Sequence, residues 1–449
     1  RVILNGLGKD AAQIISRING FTYVKTKYDY ATGELQIVEK INYYLFVVAI
    51  CMLPFPTRIS LYAWELWFVS WLFEGRFLRK ENIQWQKGIV PVVLCVVWVL
   101  WELISCAWAI NKTDATNMLV RHLSFVMIMP VALWGVNSQY DLWKAAKWFI
   151  VSSISSIFIY AIYLYIVQYW GYIQEHHSLP EFVSTWKYFG DNISWTKHRL
   201  YYGTVLNLAI VTLLQIRIPL LSMSRGNKAN TLFFFLKLVV LVLGIILSAS
   251  RANMLTLLVI SAVAIIQPLR GRTRALVTSL VGIMGITMCA LLFTLHPRFE
   301  KLHIEHITER ETYQTHEIEP RINIWFSALQ TPEDYLWYGV GAGGNSEYLK
   351  SMYASFEWNY FYDRQYNAHN QYLGTFINLG IFGAIFFLLI WLLYPIWYNG
   401  RVRQFATLAM LTIGLNMLTE NMLDRIDGVI ITCVTMVTIA LLSRAQHAK

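Results

Sequence analysis

The sequence has little charge. Only 14% of its 449 residues are Asp, Glu, Lys or Arg, while 56% are hydrophobic; soluble domains carry about 25% charged residues. Too little polar surface is left to coat a soluble globule of this length, which argues for one buried helical bundle rather than several soluble domains. Cysteine is also scarce. Cys51, Cys95, Cys106, Cys289 and Cys433 lie in or at the ends of apolar stretches with no Cys-x-x-Cys spacing. They read as small core residues, and a disulfide framework or thiolate metal site is not expected. No P-loop is present, which excludes nucleotide hydrolysis by that route. Internal repeats and low-complexity tracts are absent too. Residues 1–40 are polar and contain no apolar core of the signal-peptide kind.

Aromatic residues and long apolar runs are abundant. The 18 Trp, 26 Tyr and 24 Phe suit the aromatic belts found at both interfaces of a bilayer. A crossing helix needs about 20 mostly apolar residues. Runs of this kind lie near 42–54, 58–74, 88–107, 121–136, 148–170, 201–216, 231–249, 252–268, 275–295, 369–397, 404–420 and 427–443. The expected fold is an all-α polytopic membrane protein of about 12 transmembrane helices. A large, partly helical loop joins spans nine and ten. The expected divisions are an N-terminal segment 1–41, spans one to nine over 42–295 with a smaller loop at 171–200, the large loop 296–368, spans ten to twelve over 369–443, and a tail 444–449.

The net charge of +10 does not point to nucleic acid, because the positive residues sit in short loops between apolar runs. With twelve spans, 23 Lys and Arg fall on the side of the two termini, against 8 in the short loops of the other side. The positive-inside rule then places both termini in the cytoplasm. The loops 171–200 and 296–368 face outward, toward the periplasm in a bacterium.

An ionisable residue at membrane depth costs about 2.5–3.5 kcal/mol at mid-bilayer and is a functional candidate by default. Four sites stand out on the outward side. Lys197-His198-Arg199 leads into the sixth span. Arg251 sits in the tight turn Leu247-Ser248-Ala249-Ser250-Arg251-Ala252-Asn253. Arg321 opens a short helix expected over Asn323–Gln330, after Pro320. His369-Asn370 opens the tenth span. Arginine presents a rigid donor fork that matches phosphate and keeps its charge; neutral imidazole accepts a proton at physiological pH. Together they suit an anionic, membrane-bound phosphate substrate and a proton transfer. The acidic candidates are Glu65, Glu102, Glu420 and Asp424. Glu65 is placed to face a cavity or a partner Arg. Glu420 and Asp424, in the last outward turn, either orient one of the cations or are solvated turn residues.

Other patterns carry less. Gly339-Val340-Gly341-Ala342-Gly343-Gly344 lacks the βαβ setting of a dinucleotide site and reads as a tight turn whose N–H groups could also face an anion. His303-Ile304-Glu305-His306 with His316, and His176-His177, lack the three or four convergent ligands a zinc site needs. No metal is expected.

In order, the pieces Leu247-Ser248-Ala249-Ser250-Arg251, Arg321-Ile322-Asn323-Ile324-Trp325, Gly339-Val340-Gly341-Ala342-Gly343, Ala368-His369-Asn370-Gln371-Tyr372-Leu373 and Leu379-Gly380-Ile381-Phe382-Gly383 resemble the O-antigen ligase family. That family also includes O-antigen polymerases and bacterial O-linked oligosaccharyltransferases. The resemblance covers about residues 245–385. It implies some twelve helices with a periplasmic loop folded over an outward cavity in the bacterial inner membrane. The implied donor is a glycan on polyprenyl (undecaprenyl) diphosphate, and the acceptor of a ligase is a sugar hydroxyl of lipid A-core. Arg251 and Arg321 would hold the diphosphate and His369 would activate the acceptor; Arg199 carries over by position only. His198, Asn370, Glu420 and Asp424 are supporting candidates. No cofactor and no nucleic acid are implied. A polymerase, a protein O-oligosaccharyltransferase and, in a different class, a lipid-linked glycan transporter are the competing expectations.

Overall fold

The computed structural model describes residues 37–78, 89–136, 140–164, 173–174, 197–223, 228–267, 269, 271–276, 278–280 and 320–447. Among them every regular element is helical. The helices are α1 (Ile37–Cys51), α2 (Thr57–Glu74), α3 (Ile89–Ser105), α4 (Lys112–Trp134), α5 (Leu142–Tyr163), α6 (Arg199–Met223), α7 (Lys228–Leu247), α8 (Arg251–Ile266), α9 (Pro320–Ala328), α10 (Asn345–Ser355), α11 (Asn359–Arg364), α12 (Gln371–Ile396), α13 (Gly400–Met417) and α14 (Ile426–His447). Expectations for the N-terminal segment before residue 37, for most of the 171–200 loop including His176-His177, for most of the ninth span, and for His303, His306 and His316 fall outside the described residues.

Eleven helices lie at expected spans, and α9 to α11 lie in the large loop. By length and composition, six are apolar enough to cross a membrane: Lys112–Trp134, Leu142–Tyr163, Arg199–Ile216, Asn230–Leu247, Gln371–Ile396 and Ile426–Ala445. The apolar helices Ile89–Ser105 and Arg251–Ile266 are shorter. The chain is thus a multi-pass helical protein with six such helices among the described residues; twelve crossings remain an expectation. One boundary differs clearly. The fourth span starts at Lys112, not near 121, because Asn111 caps the helix by accepting the Asp114 N–H at 3.1 Å.

Burial separates the centre from the edge. The windows of α6 and α14 are each 83% buried, whereas that of α7 is 17% buried. α6 and α14 therefore form the middle of the bundle, and α7 presents most of its apolar surface outward. α3 packs between α4 and α12, and α13 packs against α6, α8 and α12.

The described part of the loop has its own core of Ile324, Ala328, Tyr335, Tyr348, Leu349, Tyr353, Trp358, Phe361, Ala368 and Ile377. Because Ile377 belongs to α12, this core seats α9 to α11 on that helix. A second anchor lies at a break in α12, where Gly380 adopts φ 65°. The break frees carbonyls that the glycine-rich turn takes up. Val340 N–H donates to Ile377 O and Gly341 N–H to Asn378 O, both at 2.9 Å, while Ile381 N–H returns to Leu336 O at 2.8 Å. A Cβ at Gly339 would lie 2.2 Å from Asn378 O, so this backbone approach requires glycine.

Candidate active site

α12 starts where it does because of Asn370, whose side chain accepts the N–H groups of Tyr372 and Leu373 at 3.0 and 3.1 Å. Immediately before this cap, His369 holds left-handed backbone at φ 43°. Its neighbours keep it there. Asn367 Oδ1 accepts the His369 N–H at 3.0 Å, and Trp325 Nε1, on α9, donates to Ala368 O at 2.9 Å. The His369 ring centroid lies 5.6 Å from that of Tyr366.

His369 Nδ1 meets Glu420 Oε2 at 3.2 Å. A carboxylate at Nδ1 favours the tautomer with its proton there, leaving the Nε2 lone pair as acceptor. Glu420 is buried in the turn joining α13 to α14. Burial pushes its pKa up, but the hydrogen bond and charge of His369, with the charges of His198 and Arg425, outweigh this and hold it below the ordinary value.

Arg321 joins through the next residue, its Nε donating to Thr419 O at 3.2 Å. His198 enters from the head of α6. Burial lowers its pKa; nearby Arg425 and Arg199 add to this, against the raising effect of Glu420. Lys197 is engaged by other partners. Its Nζ pairs with Asp427 Oδ1 at 2.7 Å and donates to Phe55 O at 3.3 Å, fixing the start of α6 against α14 and the α1–α2 turn.

Arg251 opens α8 after the left-handed Ala249, φ 49°, and is exposed. It forms no ion pair among the described residues. Asn253 ties this end of α8 to the first turn of α6: its Nδ2 donates to Leu200 O at 2.8 Å and to Ser250 Oγ at 2.9 Å. Arg199 precedes Leu200, so Arg199 and Arg251 stand at two helix starts that Asn253 fastens together. Arg321, His369, Glu420 and His198 are thus linked by bonds or charge, with Arg199 and Arg251 alongside.

Three expectations change. The glycine-rich turn is not an open anion cradle. The N–H groups of Gly339 to Gly344 are taken by Tyr335 O, Ile377 O, Asn378 O, Ser105 Oγ, Met118 Sδ and Gly341 O. Asp424 does not orient His369; its Oδ2 accepts from Asn421 Nδ2 at 2.8 Å, and burial raises its pKa. Glu65 lies on the exposed face of α2, not in a cavity. Two other residues were not singled out from sequence: Arg425, whose charge reaches Glu420 and His198, and Tyr366 beside the imidazole. Arg425 directly follows the Glu420–Asp424 turn and was legible as one more outward cation; nothing in the sequence pairs Tyr366 with His369.

A carboxylate-backed imidazole beside several guanidiniums can remove a proton from a hydroxyl while compensating charge on an anion. Residues 236–388 match the family model described as O-antigen ligase. This stretch holds Arg251, Arg321 and His369; Arg199 and Glu420 lie outside it. Residues 1–46 match a model described as GGGtGRT protein. No curated protein matches the chain.

Proposed function

We propose that the chain, a multi-pass membrane protein of the O-antigen ligase family by the match over residues 236–388, moves a glycan from a polyprenyl diphosphate carrier to a sugar hydroxyl of lipid A-core. The observation that carries the proposal is the His369–Glu420 contact beside Arg321. His369 Nε2 takes the acceptor proton. The freed oxygen attacks the anomeric carbon as the bond to the diphosphate oxygen breaks, and that electron pair stays on the diphosphate. Arg199, Arg251 and Arg321 compensate the growing charge, with Arg321 already held in place by Thr419 O. A positioned imidazole supplies about 10²–10⁴-fold as general base. A single displacement of this kind inverts the anomeric centre. On this reading the active site faces the periplasm and the termini the cytoplasm.

The test is a transfer assay in proteoliposomes with purified lipid-diphosphate glycan and lipid A-core. His369→Ala lowers transfer about 10²–10⁴-fold in a folded protein. Arg251→Ala has a comparable effect, and Arg251→Lys restores part of the rate, since an ammonium lacks the bidentate fork. Full activity of His369→Ala removes the general base. Longer glycan on the carrier, or glycosylated protein, in place of modified lipid A-core would reassign the acceptor.

A further inference from the structure

Glu102 on α3 and His122 on α4 are wholly buried and take no part in the chemistry above. Glu102 Oε2 lies 2.8 Å from His122 Nδ1, and His122 Nε2 lies 3.0 Å from Leu423 O. Both neighbours of the ring are acceptors. Either both ring nitrogens carry hydrogen, or Glu102 holds the proton on the Nδ1 side; in each case Nε2–H donates to Leu423. The preceding residue, Arg121, donates to the next carbonyl, that of Asp424. From the opposite side Gln371 Oε1 accepts the Leu423 N–H at 2.7 Å, and Asn421 Oδ1 accepts the Asn370 N–H at 2.8 Å. The turn bearing Glu420 is therefore gripped by α4 on one side and on the other by the head of α12, beside His369.

A buried ion pair is a poor way merely to join two helices, because apolar residues of similar volume often do so as well or better. The surroundings here would accept such residues: the His122 ring centroid lies 5.0 Å from that of Trp98 and 5.9 Å from that of Phe125. What an apolar residue cannot supply is a donor to Leu423. We propose that Glu102 and His122 form a positioning pair for the transfer site, holding the Leu423 carbonyl and hence the turn from which Glu420 orients His369. This rests on the reading of His369 as the base.

The test uses the full chain in proteoliposomes and follows kcat, donor KM, melting temperature and backbone hydrogen exchange over residues 420–425. In the Glu102→Leu/His122→Phe chain the melting temperature holds, exchange over the turn quickens, and kcat falls about 10- to 100-fold with donor KM little changed. The Glu102→Gln/His122→Gln chain keeps a neutral pair with a donor toward Leu423 and recovers most of kcat. If the apolar chain does not fold, Glu102→Gln/His122→Leu, which lacks the donor, replaces it against the double amide. Wild-type exchange over 420–425 in the donor-less chain, or wild-type kcat, overturns the positioning pair. Failure of the underlying site reading is separately visible as full transfer by His369→Ala.

Discussion

His369 sits in left-handed backbone, a conformation costing about 1–3 kcal/mol for a residue with a side chain. It is held there by Asn367, by Trp325 acting on Ala368, and by Glu420. Such strain, with the carboxylate at Nδ1, fits a ring whose direction matters more than its local stability. Replacing Glu420 tests this. Glu420→Gln keeps the shape but removes the charge that sets the tautomer, so kcat is expected to fall about ten-fold or more with donor KM little changed. The same substitution has a pH signature. The folded-state pKa of Glu420 lies below its ordinary value of 4.5, so its contribution to stability is complete above that value. It is lost as pH falls through the lower folded-state pKa. Thermal melts of wild type and Glu420→Gln should therefore differ at and above the ordinary carboxylate range, and converge below it. Convergence already near pH 6 would refute this. Arg251 and His369 were legible in the sequence because each is a polar residue at the end of an apolar run, and Arg321 because it opens the helix expected after Pro320. His122 was not, since its partners Glu102 and Leu423 stand 20 and 301 residues away.

At the scale of elements, helix starts follow capping more faithfully than hydropathy. Lys112, Asp114 and Arg121 dilute the apolar signal at the start of α4, and so the expected span began near 121. The cap Asn111 nevertheless marks the true start. The short loop helix likewise begins at Pro320 rather than Asn323, as suits proline in a first helical turn. The glycine-rich turn and the Gly380-Ile381-Phe382-Gly383 segment were read as two separate motifs. In the structure they are one joint, because the break at Gly380 releases carbonyls to which the N–H groups of the turn donate. Sequence alone hides this, since the donors and acceptors come from segments about 40 residues apart. The joint also fixes the distance between the loop core and the start of α12. Gly339→Ala should lose at least about 1 kcal/mol from the positive φ alone and more from the contact with Asn378 O. Lower melting temperature with faster proteolysis in the 320–370 region would register it, whereas an unaltered melt would show that the joint does not require glycine at 339.

At the scale of the molecule, two buried helices, α6 and α14, carry the site between them. The head of α6 presents His198 and Arg199, and the turn before α14 presents Glu420 and Arg425. Lys197 locks the two helices together through Asp427, also bonded by Thr57 Oγ1 at 2.7 Å. His198, Arg199, Arg251, Arg321, His369 and Glu420 therefore sit at one end of the bundle, while Arg401, Arg403 and Arg444 sit at the other, near the opposite ends of α13 and α14. Arg444 caps the close of α4, donating to Leu133 O at 2.7 Å. This polarity makes orientation testable. With the positive-rich end in the cytoplasm, a cysteine at exposed Tyr362 in the loop should react with a membrane-impermeant maleimide applied from outside an intact inner membrane. One introduced at exposed Arg403 should react only after permeabilisation. The four native cysteines among the described residues are buried or half-buried, and a cysteine-less background removes any signal from Cys289. The reverse labelling pattern would invert the chain and place the guanidiniums in the cytoplasm. Protection of Tyr362→Cys by added lipid-diphosphate glycan, with no change at Arg403→Cys, would further tie the loop to the substrate side.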